Sequence, residues 1–333
     1  MKNILLIGNS HPSSIEVMFY NGFKSLNKKV FLFDPGKNFR EKFKFRFLSV
    51  VLNFFYFFLF YKILTIEIFK KKYDLIILFK GVYVNESFLN FLKKKFVKSF
   101  IININTDNPF YDSNLQNRRI IRCIKFYDYY FTWSKSIQKK IIFSKFLKPQ
   151  KVKYLPFGYD DKYRKKEYLL KRKINKVLFY GSWDMQREKI LKELDNINID
   201  IYGNAWDKAS PGFKKKFNIF YKDIFGSVLA KKVAQYKLCI NLHRPQVENS
   251  HNMRFFEVTG YGGILLTPFT KEQNNFFNEG DVFYYKNIPD LKKKLLTVKN
   301  NKFYFNIKKK VFKKSLENSY KSRCKYILKC LKN

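Results

Sequence analysis

The side chains best suited to chemistry in this chain are concentrated between Cys239 and Pro268, CINLHRPQVENSHNMRFFEVTGYGGILLTP. This stretch supplies His243, Arg244, Asn252, Arg254 and Glu257, and its pattern predicts a strand ending at His243-Arg244, a loop, a helix and a second strand. Helix-start N–H groups and the cations His243, Arg244 and Arg254 can neutralise a diphosphate. A carboxylate one turn further on, Glu257, can face a cleft and accept both hydroxyls of a ribose, so the residue types suit a sugar nucleotide. The same spacing allows Arg254 and Glu257, at i and i+3, to form a helix-surface salt bridge with no ligand.

In the first half of the chain, His11 follows a short apolar strand and Asp107 closes another within Asn105-Thr-Asp-Asn-Pro109. A hydroxyl that attacks an electron-poor carbon must lose its proton, and a carboxylate or imidazole beside it can take that proton. Asp107 fits an Asx turn before Pro109 as well, and His11 fits a hydrogen bond that shapes its loop. No G-x-G-x-x-G fingerprint follows Ile7, which argues against a dinucleotide cofactor. Gly260-x-Gly262-Gly263 comes after a helix and reads as its stop. Cys123, Cys239, Cys324 and Cys330 have no C-x-x-C spacing and the His count is 3, so no metal site is expected and a reduced, cytoplasmic setting fits best.

Short apolar strands alternating with helical stretches must position these groups. Strands are expected at Asn3–Ile7, Val30–Phe33, Asp74–Phe79, Phe100–Ile104, Tyr129–Trp133 and Val152–Leu155, and a helix over Ser14–Leu26. A second series starts at Lys176 and continues through Ile199–Tyr202, Phe217–Tyr221, Leu238–Leu242, Ile264–Thr267 and Val282–Tyr285. Such alternation implies parallel sheets covered on both faces, doubly wound and Rossmann-like, in an amino-terminal domain (1–160) and a carboxyl-terminal one (175–307). The charged stretch Asp160–Lys173 reads as the linker and 308–333 as a terminal helix. The opening MKNILLIGNS reads as a strand and not as a signal peptide.

The length, 333 residues, suits two domains, and hydrophobic residues at 46% exclude a disordered chain. Lys and Arg number 67 against 26 Asp and Glu, a formal balance of +41, which raises polyanions as partners. Only 11 of those cations are Arg, and the lysines run beside abundant Asn, Ile, Phe and Tyr, as codon bias in an AT-rich genome produces. Nucleic-acid readers concentrate Arg at their contacts, so no nucleic acid is expected, and a basic nucleic-acid-binding protein stands as the less favoured alternative. The apolar run Phe47–Tyr61 is short of the usual bilayer span and fits a packed crossover helix, a helix in the membrane interface (a possible peripheral membrane contact) or, least favoured, a true span.

Asn241-Leu-His-Arg-Pro245, Asn252-Met-Arg-Phe-Phe-Glu257, Gly262-Gly263 with Leu266-Thr267, and Phe276-Phe277-x-Glu279-Gly280 together resemble the YkvP/CgeB spore-maturation glycosyltransferase-like family, related to the group 1 glycosyltransferases. Phe179-Tyr-Gly-Ser-Trp-Asp184 with Arg187 and Glu188 extends the likeness, as does Ile201-Tyr-Gly203 with Trp206. The amino-terminal half is similar more loosely, through Asp74–Gly81 and Asn105–Pro109. The resemblance implies a GT-B fold of two facing Rossmann-like domains, with a nucleotide-diphosphate sugar bound by the second domain and a glycan or lipid-linked acceptor by the first. It implies metal-independent transfer of a hexosyl type, as in polysaccharide biosynthesis. Carried over by position, Glu257 holds the ribose, Arg254 faces the phosphates, Gly181 and Ser182 make the turn the diphosphate approaches, and Arg187 lies a turn or two beyond. Eight residues before Glu257, where the group 1 pattern has a second glutamate, stands Asn249 with Glu248 one step off. That departure motivates the alternative of a nucleotide-sugar-binding protein without turnover.

Overall fold

The computed structural model describes residues 1–35, 70–82, 84–170, 174–194, 196–247, 249–299 and 304–332. They form two compact units, Met1–Pro156 with Arg323–Asn333, and Phe157–Ser322. Each is built on a six-stranded sheet whose pairings are parallel.

Along the chain, the first unit contains β1 (Asn3–Ile7), α1 (Ile15–Lys24), β2 (Lys29–Phe33), β3 (Leu75–Phe79), α2 (Glu86–Lys95), β4 (Phe100–Asn105), α3 (Leu115–Cys123), β5 (Tyr129–Thr132), α4 (Lys135–Phe143) and β6 (Val152–Tyr154). β3 is the apolar run LIILF and is buried at every position, as a strand covered on both faces must be. Each helix starts at a residue able to cap it. Ser14 accepts from Val17 N, Asn85 from Phe88 N, Asn114 from Asn117 N and Ser134 from Ser136 N.

The second unit contains β7 (Ile174–Tyr180), α5 (Met185–Lys192), β8 (Ile199–Tyr202), α6 (Pro211–Lys216), β9 (Asn218–Ile219), α7 (Gly226–Gln235), β10 (Tyr236–Ile240), α8 (Met253–Gly260), β11 (Leu265–Pro268), α9 (Lys271–Asn274), β12 (Phe283–Tyr285), α10 (Ile288–Lys299) and α11 (Tyr304–Lys314). Trp206 is fully buried in its core, stacked on Phe213 at 5.4 Å and edge-on to Phe179 at 6.0 Å. Its indole donates to Gly181 O at 2.8 Å, which pins the turn after β7 to the core.

The strand orders differ. The first sheet runs β2-β1-β3-β4-β5-β6 and the second β12-β11-β10-β7-β8-β9. The order reverses between β1 and β3 in one and between β7 and β10 in the other. At such a point the connections leave to opposite sides, and a crevice opens beyond the carboxyl ends of the two strands.

Several expectations need revision. Asp160–Lys173 is not a free linker, because its described part belongs to the second unit: Asp160 and Tyr168 are buried, and the Arg164 guanidinium lies 3.5 Å from the Phe312 ring. The tail is not one helix. It breaks after α11 into a short turn, Ser315–Asn318, before α12 (Tyr320–Cys330), because Ser319 bridges to Tyr159 and Tyr320 N donates to Tyr159 O at 2.9 Å. Most of α12, from Arg323 on, belongs to the first unit, where Arg323 Nε donates to Pro156 O at 3.0 Å. Phe47–Tyr61 and Glu248 lie outside the described residues. Among those described, no helix is long and apolar enough to cross a membrane.

Candidate functional site

In the second unit, the switch point is lined by the ends of β7 and β10. β7 closes at Tyr180 and turns through Gly181, whose φ of +151° lies outside the usual range of residues with a Cβ. A Cβ at Gly181 would collide with the Arg254 guanidinium and stand 3.3 Å from Arg187 Nη1. The glycine therefore lets two guanidiniums close over the turn. Gly203, after β8, lies against the Gly181 carbonyl and leaves no room for a Cβ either.

Arg187 is 2% exposed. It donates to Ser182 O at 2.8 Å and to Leu242 O at 3.3 Å, and its Nε lies 3.3 Å from Asp184 Oδ2. Asp184 caps α5 through Arg187 N, and Arg244 Nε reaches the same Oδ2 at 3.5 Å. Arg254, in the first turn of α8, donates from Nε to Tyr180 O, with its guanidinium 5.3 Å from the Tyr180 ring. Burial, then the charges of Arg254 and Arg244, push the Arg187 pKa down to about 9. Three guanidiniums thus crowd together, with Asp184 beside Arg187 and Arg244 and the charges of Glu257 and Asp223 acting on Arg254.

His243 does not join them as a cation. Burial and the charges of Arg254 and Arg187 push its pKa down to about 3, so the imidazole is neutral at pH 7, and its Nε2 lies 3.4 Å from Gln273 Nε2. Asn252 is a positioning residue: it caps α8 through Phe255 N and exchanges amide hydrogen bonds with Asn241 at 2.8 and 3.1 Å. Nor does Glu257 face out. It is 5% exposed, its Oε2 accepts from the Tyr180 hydroxyl at 3.0 Å, and burial raises its pKa. Among the described residues Arg254 and Glu257 form no direct ion pair, and Glu257 is buried, so the two do not make a helix-surface salt bridge. Tyr180 joins them, its carbonyl taking Arg254 and its hydroxyl serving Glu257.

Gly262 and Gly263 stand apart from the cations. α8 ends at Gly260, Gly262 has φ +79°, and Gly263 N returns to Val258 O at 2.8 Å, a helix stop. A Cβ at Gly262 would strike Leu169, and one at Gly263 would stand 2.7 Å from Val233 Cγ1, so both glycines serve packing. Tyr180 and Asp184 were missed as members of the cluster. Asp184 was legible as a cap three residues before Arg187, whereas nothing in the sequence singles out Tyr180.

In the first unit the switch point is lined by the ends of β1 and β3, and its chemistry is opposite in sign. Glu16, in the first turn of α1, is 4% exposed, and a Cβ at Gly8 would sit 2.6 Å from its Cγ. Lys80, at the end of β3, adopts φ +60°, a conformation that costs a residue with a Cβ about 1 to 2 kcal/mol. Its ammonium lies 3.1 Å from Asp107 Oδ2, and the negative charges of Asp107 and Glu16 raise its pKa against the effect of burial. Burial in turn raises the pKa of Glu16. Asp107 is half exposed and its N–H donates to Asn105 Oδ1 at 2.9 Å, so the Asx turn belongs to Asn105. His11, beyond β1, has its Nδ1 2.7 Å from Ser13 Oγ, a bond that shapes the loop. β3 separates the strands that carry His11 and Asp107. Lys80 and Glu16 were both missed as members of this cluster.

Residues 186–329 match the family model described as glycosyl transferase-like. No curated protein matches the chain. Among solved structures, sucrose-phosphate synthase from Thermosynechococcus elongatus is similar over 100% of this chain and 98% of its own, with TM-score 0.70 and 10% identity. HepE of Anabaena, solved with UDP and glucose, is similar over 100% of both chains, with TM-score 0.67 and 12% identity. The trehalose-6-phosphate phosphatase N-terminal domain of Candida albicans covers 100% of this chain and 97% of its own, with TM-score 0.66 and 11% identity.

The fold is GT-B. In GT-B terms the matched segment begins inside α5, so it includes Arg187, Arg244, Arg254 and Glu257 and leaves Gly181 and Ser182 just outside. The likeness to solved structures extends over both units of the GT-B chain.

Proposed function

We propose that this protein is a glycosyltransferase that takes a sugar from a nucleotide-diphosphate donor and passes it to a hydroxyl of a glycan or lipid-linked acceptor. The observation that carries this is the crowding of Arg187, Arg244 and Arg254 at the switch point of the unit that matches a glycosyl transferase-like family. A diphosphate there relieves three mutually repelling charges and accepts from planar donors, and the same guanidiniums stabilise the leaving nucleotide as negative charge grows on it. In this reading the arginines supply the charge that a divalent cation supplies elsewhere, and the reaction needs no metal.

Glu257 keeps its ribose role in the proposal through Oε1, because the described hydrogen bonds occupy only Oε2. The UDP and glucose bound by HepE support a donor of this class. The first unit binds the acceptor, and the exposed carboxylate of Asp107 takes the proton of the attacking hydroxyl, with Lys80 fixing its position. We place the reaction in the cytoplasm. A second reading, binding without turnover, is favoured by Asn249 at the place of the second glutamate.

Melting and calorimetry of the full chain with UDP-, GDP- and ADP-sugars test the donor half. A donor at 100 times its Kd should add about 2.7 kcal/mol of stability, and Arg254→Met should cut that gain to about 0.4 to 1.4 kcal/mol at the same concentration. Absence of any shift with all three classes would refute the donor assignment.

A further inference from the structure

In a parallel sheet every loop that leads into a strand emerges at the same edge, opposite the edge that carries the switch-point chemistry. In the first unit that entering edge is lined with lysine, each loop contributing: Lys28 before β2, Lys71 before β3, Lys94 and Lys98 before β4, Lys125 before β5 and Lys145 before β6. The described acids there are Asp74 and Asp128, and both are engaged. Asp74 accepts from the N–H groups of Lys2 and Asn3, and Asp128 from Ile101 N at 2.7 Å, with Lys93 3.5 Å away.

The opposite edge of the same sheet is close to balance, with Asp34, Glu86, Asp107 and Asp112 set against Lys80, Arg118, Arg119 and Lys135. Codon bias sprinkles lysine without regard to sheet edges, so it does not produce this segregation. The preference of helix C-termini for cations is worth only about 0.3 to 1 kcal/mol per site and acts in both units alike. In the second unit acids stand among the lysines near the entering edge: Lys176 pairs with Asp200 at 2.9 Å, Lys292 with Glu193 at 3.0 Å and Lys294 with Glu279 at 3.0 Å.

We infer that the strand-entering edge of the first unit docks on an anionic lipid surface. The charge there is lysine, a point charge on a flexible stem suited to diffuse headgroup charge. Two large apolar side chains protrude at the same edge, Val97 at 81% exposure and Phe143 at 88%. An apolar tip gains free energy on entering a bilayer interface, and it gains little against a nucleic-acid backbone. Docking at this edge leaves the switch-point edge turned away from the lipid plane. The inference stands on charge and exposure alone, and it survives or fails independently of the transfer reaction.

Co-sedimentation of the full chain with vesicles of phosphatidylglycerol in phosphatidylcholine, against phosphatidylcholine alone, tests it. The triple variant Lys94→Glu/Lys95→Glu/Lys98→Glu should lose about 100-fold or more in partitioning, since each lysine near such a surface contributes on the order of 1 kcal/mol. The second-unit variant Lys214→Glu/Lys215→Glu/Lys216→Glu has the same net charge but leaves the first unit's entering edge unaltered, and should change binding by less than about 3-fold. Lys145→Glu/Lys148→Glu, in the loop before β6, should repeat the first result should the triple variant misfold by circular dichroism. Val97→Ser/Phe143→Ser should remove the binding that persists in high salt. Equal losses from the two triple variants would reduce the effect to net charge and overturn the inference. So would equal binding to phosphatidylcholine alone, or a tighter hold on duplex DNA than on the anionic vesicles.

Discussion

The two switch points are built from the same element, two parallel strand ends with a helix start beside them, yet they carry opposite charge. In the second unit Arg187, Arg244 and Arg254 crowd together with Asp184 against the first two, and the excess is positive. In the first, Glu16 and Asp107 flank Lys80, and the excess is negative. In the function proposed above, the positive crevice with its neutral His243 takes the diphosphate, and the acidic one suits a neutral hydroxyl that must give up a proton. The fold supplies the crevice twice, and the side chains at the strand ends give each one its own charge.

The largest effect expected is on transfer itself. Asp107→Asn should lower the rate by about 100-fold or more and leave donor affinity unchanged in calorimetry, since it removes a base from one unit without touching the other. Full activity in this variant would strip the first crevice of its chemical role. Next in size, Arg254→Met should weaken nucleotide diphosphate binding by about 10- to 100-fold, the usual worth of charge-assisted bonds. A variant that binds like the wild type would make the arginines a packing feature and dissolve the contrast between the units.

Glu257→Gln sharpens the comparison through pH. Burial raises the folded pKa of Glu257 above its unfolded value. The stability it contributes is therefore fully present below the unfolded pKa of about 4.3 and is lost as pH rises through the folded value. The Gln variant removes that loss, so melts between pH 4 and 8 should show it gaining on the wild type toward neutrality. Donor affinity should fall about 10-fold if the carboxylate holds the ribose. Unchanged affinity together with the gained stability would leave Glu257 a buried partner of Tyr180 alone. The smallest effect belongs to Lys80→Gly. Relief of the left-handed backbone, about 1 kcal/mol, opposes the loss of the ammonium between Glu16 and Asp107. Melting should stay near the wild type while transfer drops several-fold, and rates equal to the wild type would show that Lys80 does not position Asp107.

Much of the fold was legible locally. The run LIILF at 75–79 and the capped helix start at Ser14 announce themselves through apolar continuity and a hydroxyl before a helical pattern. Boundaries that depend on distant partners were not legible. The tail reads as one helix because its apolar spacing is unbroken, yet it breaks at Ser319 where the backbone pairs with Tyr159. Asp160–Lys173 reads as a linker by its charge, yet Tyr168 and Asp160 are buried.

By itself, the sequence determined which side chains could do chemistry and that they stand at strand ends and helix starts, since residue type and periodicity are properties of neighbours along the chain. Strand order belongs to the tertiary structure, and with it the fact that Gly181 and Arg254, 73 residues apart, touch. Protonation state belongs there as well. His243 is a potential cation in any sequence, and it becomes a neutral imidazole only because folding takes it out of water beside Arg254 and Arg187. Glu257 has an ordinary carboxyl until Tyr180 and the interior close around it. Charge depends on desolvation and on neighbours through space, and both are settled only when the chain has packed.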